Sequence, residues 1–160
     1  MTQNISKKRV LFICLGNICR SPAAHAIFQK MIDDAGLSDH FLVDSAGIGN
    51  WHVGELPDKR MRDHGYRRGY RIDHHARQFK LSDFDNFDQI IVMDDDNYRI
   101  ITGKAGNDEQ RRKVVKMIDY LEQYAGEGSV PDPYYGGADD FEWALDLIED
   151  GCRGLLKHSK

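Results

Sequence analysis

A cysteine and an arginine that flank a short glycine-containing loop are the residues best suited to chemistry in this chain. The segment reads Cys14-Leu-Gly-Asn-Ile-Cys-Arg-Ser-Pro22 and directly follows the apolar run Val10–Ile13. A short apolar run of this kind predicts a buried strand, and Ser21 before Pro22 predicts an N-cap and the first helical turn. The pair therefore lies where a strand passes into a helix.

A loop at such a junction predicts an anion site with a nucleophile at its floor. The N–H groups of residues 15–20 can point inward near the helix N-terminus, and Gly16 is expected to adopt the unusual backbone angles. Arg20 offers a planar fork for two phosphate oxygens. The helix N-terminus, Arg20 and the Ser21 hydroxyl all favour a thiolate at Cys14. We expect that thiolate to attack a bound phosphoryl group in line.

The leaving group of such a reaction needs a proton donor, for which Asp132 is the candidate. It lies between two prolines and is followed by Tyr134 and Tyr135. Taken singly, Asp132 is more typical of a Pro-Asp-Pro turn, and Cys14 is more typical of a small core residue. The spacing of the whole loop argues against the core interpretation of Cys14. Zinc binding by Cys14 and Cys19 is disfavoured because the chain has no second cysteine pair.

The surrounding pattern predicts a single-domain α/β fold over residues 1–160, with a four-stranded parallel sheet and helices on both faces. Strands are expected at 10–13, 41–43, 87–93 and 113–117. Helices are expected at 22–35, 57–64, 94–102 and 139–156, and 45–49 is expected to be a loop. In such folds ligands bind beyond the carboxyl ends of the strands, which is where Cys14 lies.

Composition limits the function classes. The chain has 160 residues, 41% of them hydrophobic, and a formal net charge of −4. These values argue against disorder and against nucleic acid as the main partner, and no apolar run is long enough for a membrane span. The three cysteines are too few for a disulfide framework, so we expect a cytoplasmic protein with free thiols. Residues 58–77 carry seven Lys/Arg against three Asp, which favours a solvated helix face over a cationic rim for substrates.

With the first loop near its N-terminus and Asp132-Pro-Tyr-Tyr-Gly136 near its C-terminus, the chain closely resembles the low-molecular-weight protein tyrosine phosphatases. The resemblance extends from about Arg9 to the final helix. The chain departs from that family's pattern at His25, where an acid is expected, and at Asp73. The resemblance implies a strand order of 2-1-3-4. It implies hydrolysis of phosphotyrosine and other aryl phosphates through a phosphocysteine, best below neutral pH, with no metal and no other cofactor.

The resemblance also implies a role for each site residue. Cys14 would be the nucleophile, Arg20 the phosphate clamp, and Asp132 first the acid and then the base. Asn17 would be held by hydrogen bonds to Ser45 and His74. The expected phosphate loop consists of Leu15, Gly16, Asn17, Ile18, Cys19, Arg20 and Ser21, and Ser21 would also stabilise the thiolate. The expected walls of the substrate cleft are Leu15, Ile18, Trp51, Tyr134 and Tyr135. Cys19 would trap oxidised Cys14 as a reversible disulfide.

The expected partners are phosphotyrosine proteins or small aryl phosphates, with phosphate-like oxyanions as inhibitors, and no nucleic acid or membrane. A monomer is expected, with a weak dimer as the alternative. Two other functions compete. A thiol-dependent arsenate reductase needs two further cysteines near the third strand, but residues 76–95 contain none and Cys152 is far away. A catalytically silent phosphotyrosine-binding module has no need to retain Cys14, Arg20 and Asp132 together.

Overall fold

A computed structural model describes residues 7–159 and contains one parallel sheet. Its strands are β1 (Lys8–Cys14), β2 (Phe41–Gly47), β3 (Gln89–Val92) and β4 (Val114–Lys116). They lie in the order β2-β1-β3-β4, and every pairing is parallel. The strand order implied by the family resemblance is therefore confirmed. The expected domain range of 1–160 includes residues 1–6 and 160, which lie outside the described residues.

Helices cover both faces of the sheet, as expected. They are α1 (Arg20–Asp34), α2 (Lys59–Arg67), α3 (Asp83–Asn86), α4 (Asp95–Lys104), α5 (Asp108–Arg112) and α6 (Ala138–His158). Alternate residues of β1 point to opposite faces. Phe12 packs in a core with α1 and α6, whereas Ile13 packs in a second core with Phe84 of α3 and Ile101 of α4. No helix within residues 7–159 combines the length and apolar content that a membrane crossing requires.

The second strand is longer than its apolar pattern suggests. The sequence predicts a strand at 41–43 and a loop at 45–49, but β2 runs to Gly47. Parallel pairing with β1 sets this length, since Ser45 pairs with Phe12 and Gly47 pairs with Cys14. Small and polar residues can continue a strand when a neighbour supplies the backbone hydrogen bonds. As a result, Ser45 lies beside the loop that follows β1.

Several helix ends also differ from expectation. Helix α1 begins at Arg20 with Cys19 as its N-cap, so the prediction of Ser21 as the N-cap is wrong. The Ser21 hydroxyl contacts the Cys14 sulfur instead. Helices α2 and α4 continue through Gly65 and Gly103, where the sequence predicts their ends. The short helices α3 and α5 were not expected, because four or five residues show no helical periodicity.

The basic segment 58–77 is held largely by internal ion pairs. Arg68 bonds to Glu142 and Glu149 on α6, and Arg77 bonds to Asp44 and Asp83. These ion pairs connect the end of α2 to α6, and the segment after α2 to β2 and α3. They leave fewer free cations at this surface than a simple charge count suggests.

Candidate active site

Cys14 ends β1 and faces the first turn of α1. Its side chain is 3% exposed, so the sulfur lies at the floor of the site. The backbone N–H of Ser21 donates to Cys14 Sγ at 3.4 Å, and Ser21 Oγ lies 3.0 Å from the same sulfur. These contacts and the helix N-terminus all favour negative charge on the sulfur.

Asn17 fixes the shape of the loop between Cys14 and α1. Its φ of 58° lies in the left-handed region, which is unfavourable for most L-residues. The prediction that Gly16 adopts the unusual backbone angle is wrong. Asn17 adopts that angle instead, and the hydrogen bonds of its side-chain amide stabilise the conformation. Asn17 Nδ2 donates to Ser21 Oγ at 2.7 Å and to Ser45 Oγ at 3.1 Å, and Oδ1 accepts the Arg77 N–H at 3.0 Å.

These bonds also set the direction of the Ser21 hydroxyl. Ser21 Oγ accepts a hydrogen bond from Asn17 Nδ2, which can only donate. The hydroxyl proton of Ser21 can therefore point toward Cys14 Sγ, 3.0 Å away, whereas its other acceptor, the Ala46 carbonyl oxygen, lies farther off at 3.5 Å. A buried network thus supplies the sulfur with a second donor besides the backbone N–H.

Two histidines lie behind this network. His74 Nε2 is 3.0 Å from the Ser45 carbonyl oxygen, so the expected direct bond from His74 to Asn17 is wrong, and Ser45 joins the two residues instead. His25 Nδ1 lies 3.2 Å from Ser45 Oγ. Burial, followed by the nearby His74, lowers the pKa of His25 to about 4, so its imidazole is neutral near pH 7. Sequence reasoning assigned His25 no role beyond its departure from the family pattern.

Arg20 is a buried cation beside the loop, with a side chain 2% exposed. Its Nη1 donates to Asp94 Oδ2 at 2.7 Å and to the Val130 carbonyl at 2.9 Å. Asp94 also caps α4 by accepting the Asn97 N–H at 2.7 Å, as its sequence position suggests. Its bond to Arg20 was missed because the two residues lie far apart in the chain. Arg20 Nε is buried and has no hydrogen-bond partner within the described part of the chain.

Asp132 stands at the mouth of the same site. Its Oδ1 accepts the Tyr134 N–H at 3.1 Å, and its Oδ2 lies 3.6 Å from Arg20 Nη2. The side chain is 37% exposed, so the carboxyl group reaches both the cleft and water. Arg60, which the sequence did not single out, donates to the Tyr134 carbonyl at 2.9 Å and steadies this loop.

A cleft of about 380 Å³ opens above Cys14. Its lining comprises Cys14, Leu15, Gly16, Ile18, Cys19, Trp51, His52, Asp132, Tyr134 and Tyr135. Every predicted wall residue is among them, and His52 is an addition that no motif indicated. Trp51 is 66% exposed, which puts its ring at the rim. The cleft therefore has a polar floor and aromatic sides, a shape that accepts a flat ring carrying an anionic group.

The other cysteines differ from Cys14 in their surroundings. Cys19 is buried beside the same loop, and burial together with the nearby Cys14 raises the pKa of its thiol. Cys152 is fully buried in α6, and burial likewise raises the pKa of its thiol. Both thiols are therefore mostly protonated near neutral pH, which makes them poor nucleophiles.

Comparisons with known proteins agree with this geometry. Residues 9–160 match the profile of the family described as low molecular weight phosphotyrosine protein phosphatase. A putative low molecular weight protein-tyrosine-phosphatase of Synechocystis sp. is 49% identical, covering 92% of this chain and 94% of the relative. The crystal structure of a protein tyrosine phosphatase from Entamoeba histolytica, with Hepes in its active site, is 41% identical with a TM-score of 0.92, covering 96% and 97% of the two chains. A structure described as a drosophila arginine phosphatase is 32% identical with a TM-score of 0.87, covering 94% and 97%.

The role of Asn17 can be tested with two substitutions. Asn17→Ala removes the hydrogen bonds and forces alanine into the left-handed region, whereas Asn17→Gly removes the same bonds without that strain. We expect Asn17→Gly to be the more stable of the two by about 1 kcal/mol, the reverse of their usual order. Urea unfolding of both variants measures the difference. An Asn17→Ala protein as stable as Asn17→Gly would show that the loop does not depend on this backbone conformation.

Proposed function

Because the chain belongs to the low molecular weight phosphotyrosine protein phosphatase family, we propose that it hydrolyses phosphotyrosine and other aryl phosphate monoesters through a phosphocysteine at Cys14. The observation that carries this proposal is the position of the Cys14 sulfur. It contacts the Ser21 donors at the floor of an aromatic-sided cleft, and Asp132, which approaches the buried Arg20, stands at the mouth. A reduced Cys14 is required, which fits a cytoplasmic location.

In the first step, the Cys14 thiolate attacks phosphorus and the bond from phosphorus to the phenolic oxygen breaks. Loop N–H groups and Arg20 hold the three equatorial oxygens, whose negative charge must be stabilised in the transition state. The unpartnered Arg20 Nε gains an acceptor if it turns toward a phosphate oxygen. Asp132 donates its proton to the departing phenoxide, which leaves as a neutral phenol.

In the second step, water displaces the thiolate. The Asp132 carboxylate, ionised by the first step, accepts a proton from the attacking water, and the bond between sulfur and phosphorus breaks. The electron pair returns to Cys14 Sγ, where the Ser21 hydroxyl and N–H stabilise it. Inorganic phosphate is released, and the enzyme regains its starting state. Phosphate-like oxyanions such as vanadate should occupy the same loop as inhibitors.

The depth of the cleft supports a preference for aryl phosphates. The phosphorus of a tyrosyl phosphate lies much farther from the peptide backbone than that of a seryl phosphate. It can reach the Cys14 sulfur while its ring lies among the cleft walls formed by Leu15, Ile18, Trp51, Tyr134 and Tyr135. A seryl phosphate would have to bring the substrate backbone into the cleft. The similarity to a structure described as an arginine phosphatase makes phosphoarginine a useful comparison substrate.

Cys19 is proposed to protect the nucleophile from irreversible oxidation. Peroxide would convert the Cys14 thiolate to a sulfenic acid, and the Cys19 thiolate would then attack that sulfur. The bond from that sulfur to its hydroxyl oxygen breaks as the disulfide forms, and the departing hydroxide takes up the proton that Cys19 had released, giving water. A dithiol restores both cysteines. The neutral sulfenic acid removes the repulsion that Cys14 exerts on the Cys19 thiolate, so that only burial and the weaker repulsion from Asp58 and Asp132 still disfavour ionisation of Cys19.

The proposed chemistry predicts how two variants respond to two substrates. In EDTA with dithiothreitol, Cys14→Ser should lower kcat for p-nitrophenyl phosphate on the order of 10⁴-fold. Asp132→Asn should lower kcat/KM, which reports the first step alone, by roughly 10²–10⁴-fold for phenyl phosphate and much less for p-nitrophenyl phosphate, because nitrophenoxide leaves without a proton. Phosphotyrosine, phosphoserine and phosphoarginine peptides then define the substrate class. An equal loss of kcat/KM for both aryl phosphates would remove Asp132 from its role as the acid, and an active Cys14→Ser enzyme would contradict the phosphocysteine.

The redox proposal predicts a dependence on pH. Because the pKa of Cys19 is raised, its thiol is mostly protonated at neutral pH. At any pH below that pKa, the thiolate fraction of Cys19 increases about tenfold when the pH rises by one unit. Once Cys14 has been oxidised, the rate of disulfide formation should therefore rise about tenfold per pH unit between pH 6 and 8. Mass spectrometry after timed alkylation measures the Cys14–Cys19 linkage. Cys152→Ser is the matched control and should behave as wild type. A rate independent of pH, or full recovery of Cys19→Ser by dithiothreitol, would contradict this role.

A further inference from the structure

Two imidazoles and a carboxylate meet behind the phosphate loop. His25 comes from α1, Asp44 from β2, and His74 from the segment after α2. One potential ligand atom from each residue lies within 4.8 Å of the other two. His74 Nε2 is 3.6 Å from Asp44 Oδ1, and the two imidazole ring centres are 4.9 Å apart. None of the three residues takes part in the phosphoryl transfer proposed above.

This set of donors suits a divalent transition-metal ion. Imidazole nitrogen and carboxylate oxygen are common ligands of Zn²⁺, at about 2.0–2.2 Å, and three protein ligands leave a fourth position for water. Tetrahedral coordination at that distance separates ligand atoms by about 3.3 Å. The cluster needs small side-chain rotations to reach this spacing from its present separations. His25 is one of the positions at which this chain departs from the family pattern, so the two-histidine set is a feature of this sequence.

The surroundings provide both access and orientation. A surface cavity of about 420 Å³ borders the cluster and is lined by His25, His74 and Asp73 among others. A hydrated ion can therefore reach the two rings from solvent. Asp44 Oδ2 is held by Arg77 Nε at 3.0 Å, which fixes the carboxylate. Asp44 Oδ1 accepts the Ser45 N–H at 2.8 Å and faces His74, which leaves its second lone pair for a metal ion. In known metal sites, hydrogen bonds to the ligating side chains orient those ligands. Arg77 is also paired with Asp83, which offsets its positive charge near the cluster.

We propose that His25, Asp44 and His74 form a binding site for a divalent transition-metal ion such as Zn²⁺, and that its occupancy affects the phosphate loop through Ser45. His25 Nδ1 contacts Ser45 Oγ, and His74 Nε2 contacts the Ser45 carbonyl. Rotation of the rings toward a metal weakens these contacts. Ser45 Oγ also accepts a bond from Asn17, which holds the loop around Cys14. The binding part of the proposal does not depend on the proposed phosphatase mechanism.

Co²⁺ is the appropriate probe because its spectrum distinguishes ligand types. It is titrated into the reduced, desalted full-length protein without EDTA or thiol. Binding at the proposed site gives visible d–d bands without the near-ultraviolet thiolate-to-cobalt band that a site at Cys14 would show. His25→Gln should weaken Co²⁺ binding about 100-fold. Loss of a metal ligand lowers metal affinity at least as much as loss of a residue that only hydrogen-bonds to a ligand. His75→Gln, which changes an exposed neighbouring histidine, should bind as wild type.

A thiolate-to-cobalt band, or equal affinity in His25→Gln and wild type, would overturn the site. Nitrogen-15 spectra of the histidine rings provide a test without mutation, because Zn²⁺ should shift His25 and His74 first among the seven histidines. Shifts confined to other histidines would also overturn it. Turnover of p-nitrophenyl phosphate, measured during the same Co²⁺ titration, should fall as the visible bands grow in wild type and in His75→Gln. Bands that grow at constant turnover would overturn the link to the phosphate loop while leaving the binding site intact.

Discussion

The hydrogen bonds of the Asn17 amide hold together the loop on which the rest of the site depends. They keep one residue in a left-handed conformation and connect the end of β1, the start of α1 and β2 through Ser21 and Ser45. Because Ser21 Oγ accepts from Asn17, its proton is free for the Cys14 sulfur. Buried networks of this kind are stable only when every member is satisfied. The position of the nucleophile therefore depends on the pairing of β1 with β2 as much as on the loop sequence.

A second constraint is the buried charge of Arg20. A guanidinium removed from water needs partners, and it finds them in Asp94, the Val130 carbonyl and the nearby Asp132. These partners come from the end of β3 and from the loop before α6, so the arginine joins three parts of the fold. A phosphoryl group entering the cleft would bring negative charge to a cation that is already in place. Little rearrangement is then needed when charge builds up in the transition state.

Local sequence explains the parts of this protein that were predictable. The strand, loop and helix around Cys14 follow one another directly between Lys8 and Asp34, and their residue types alone predict an anion site with a nucleophile. The parallel sheet follows from the alternation of apolar runs with helical patterns. The family resemblance then supplied the strand order and favoured Asp132 as the acid over a simple turn residue. What remained hidden was set by tertiary contact: the length of β2, the bond from Asp94 to Arg20, and the place of His52 in the cleft wall. The residues involved form no motif with their neighbours in the sequence, so the sequence does not indicate which distant residues they contact.

The proposed mechanism requires a bond between the Cys14 sulfur and phosphorus, and that bond can be observed directly. The enzyme is mixed with an aryl phosphate in excess and denatured within milliseconds. The peptide containing Cys14 and Cys19 is then analysed by mass spectrometry with fragmentation. We expect one phosphoryl group on Cys14 and none on Cys19, with an amount that falls as substrate is consumed. A phosphoryl group on another residue, or an unmodified peptide during steady turnover, would contradict the phosphocysteine mechanism.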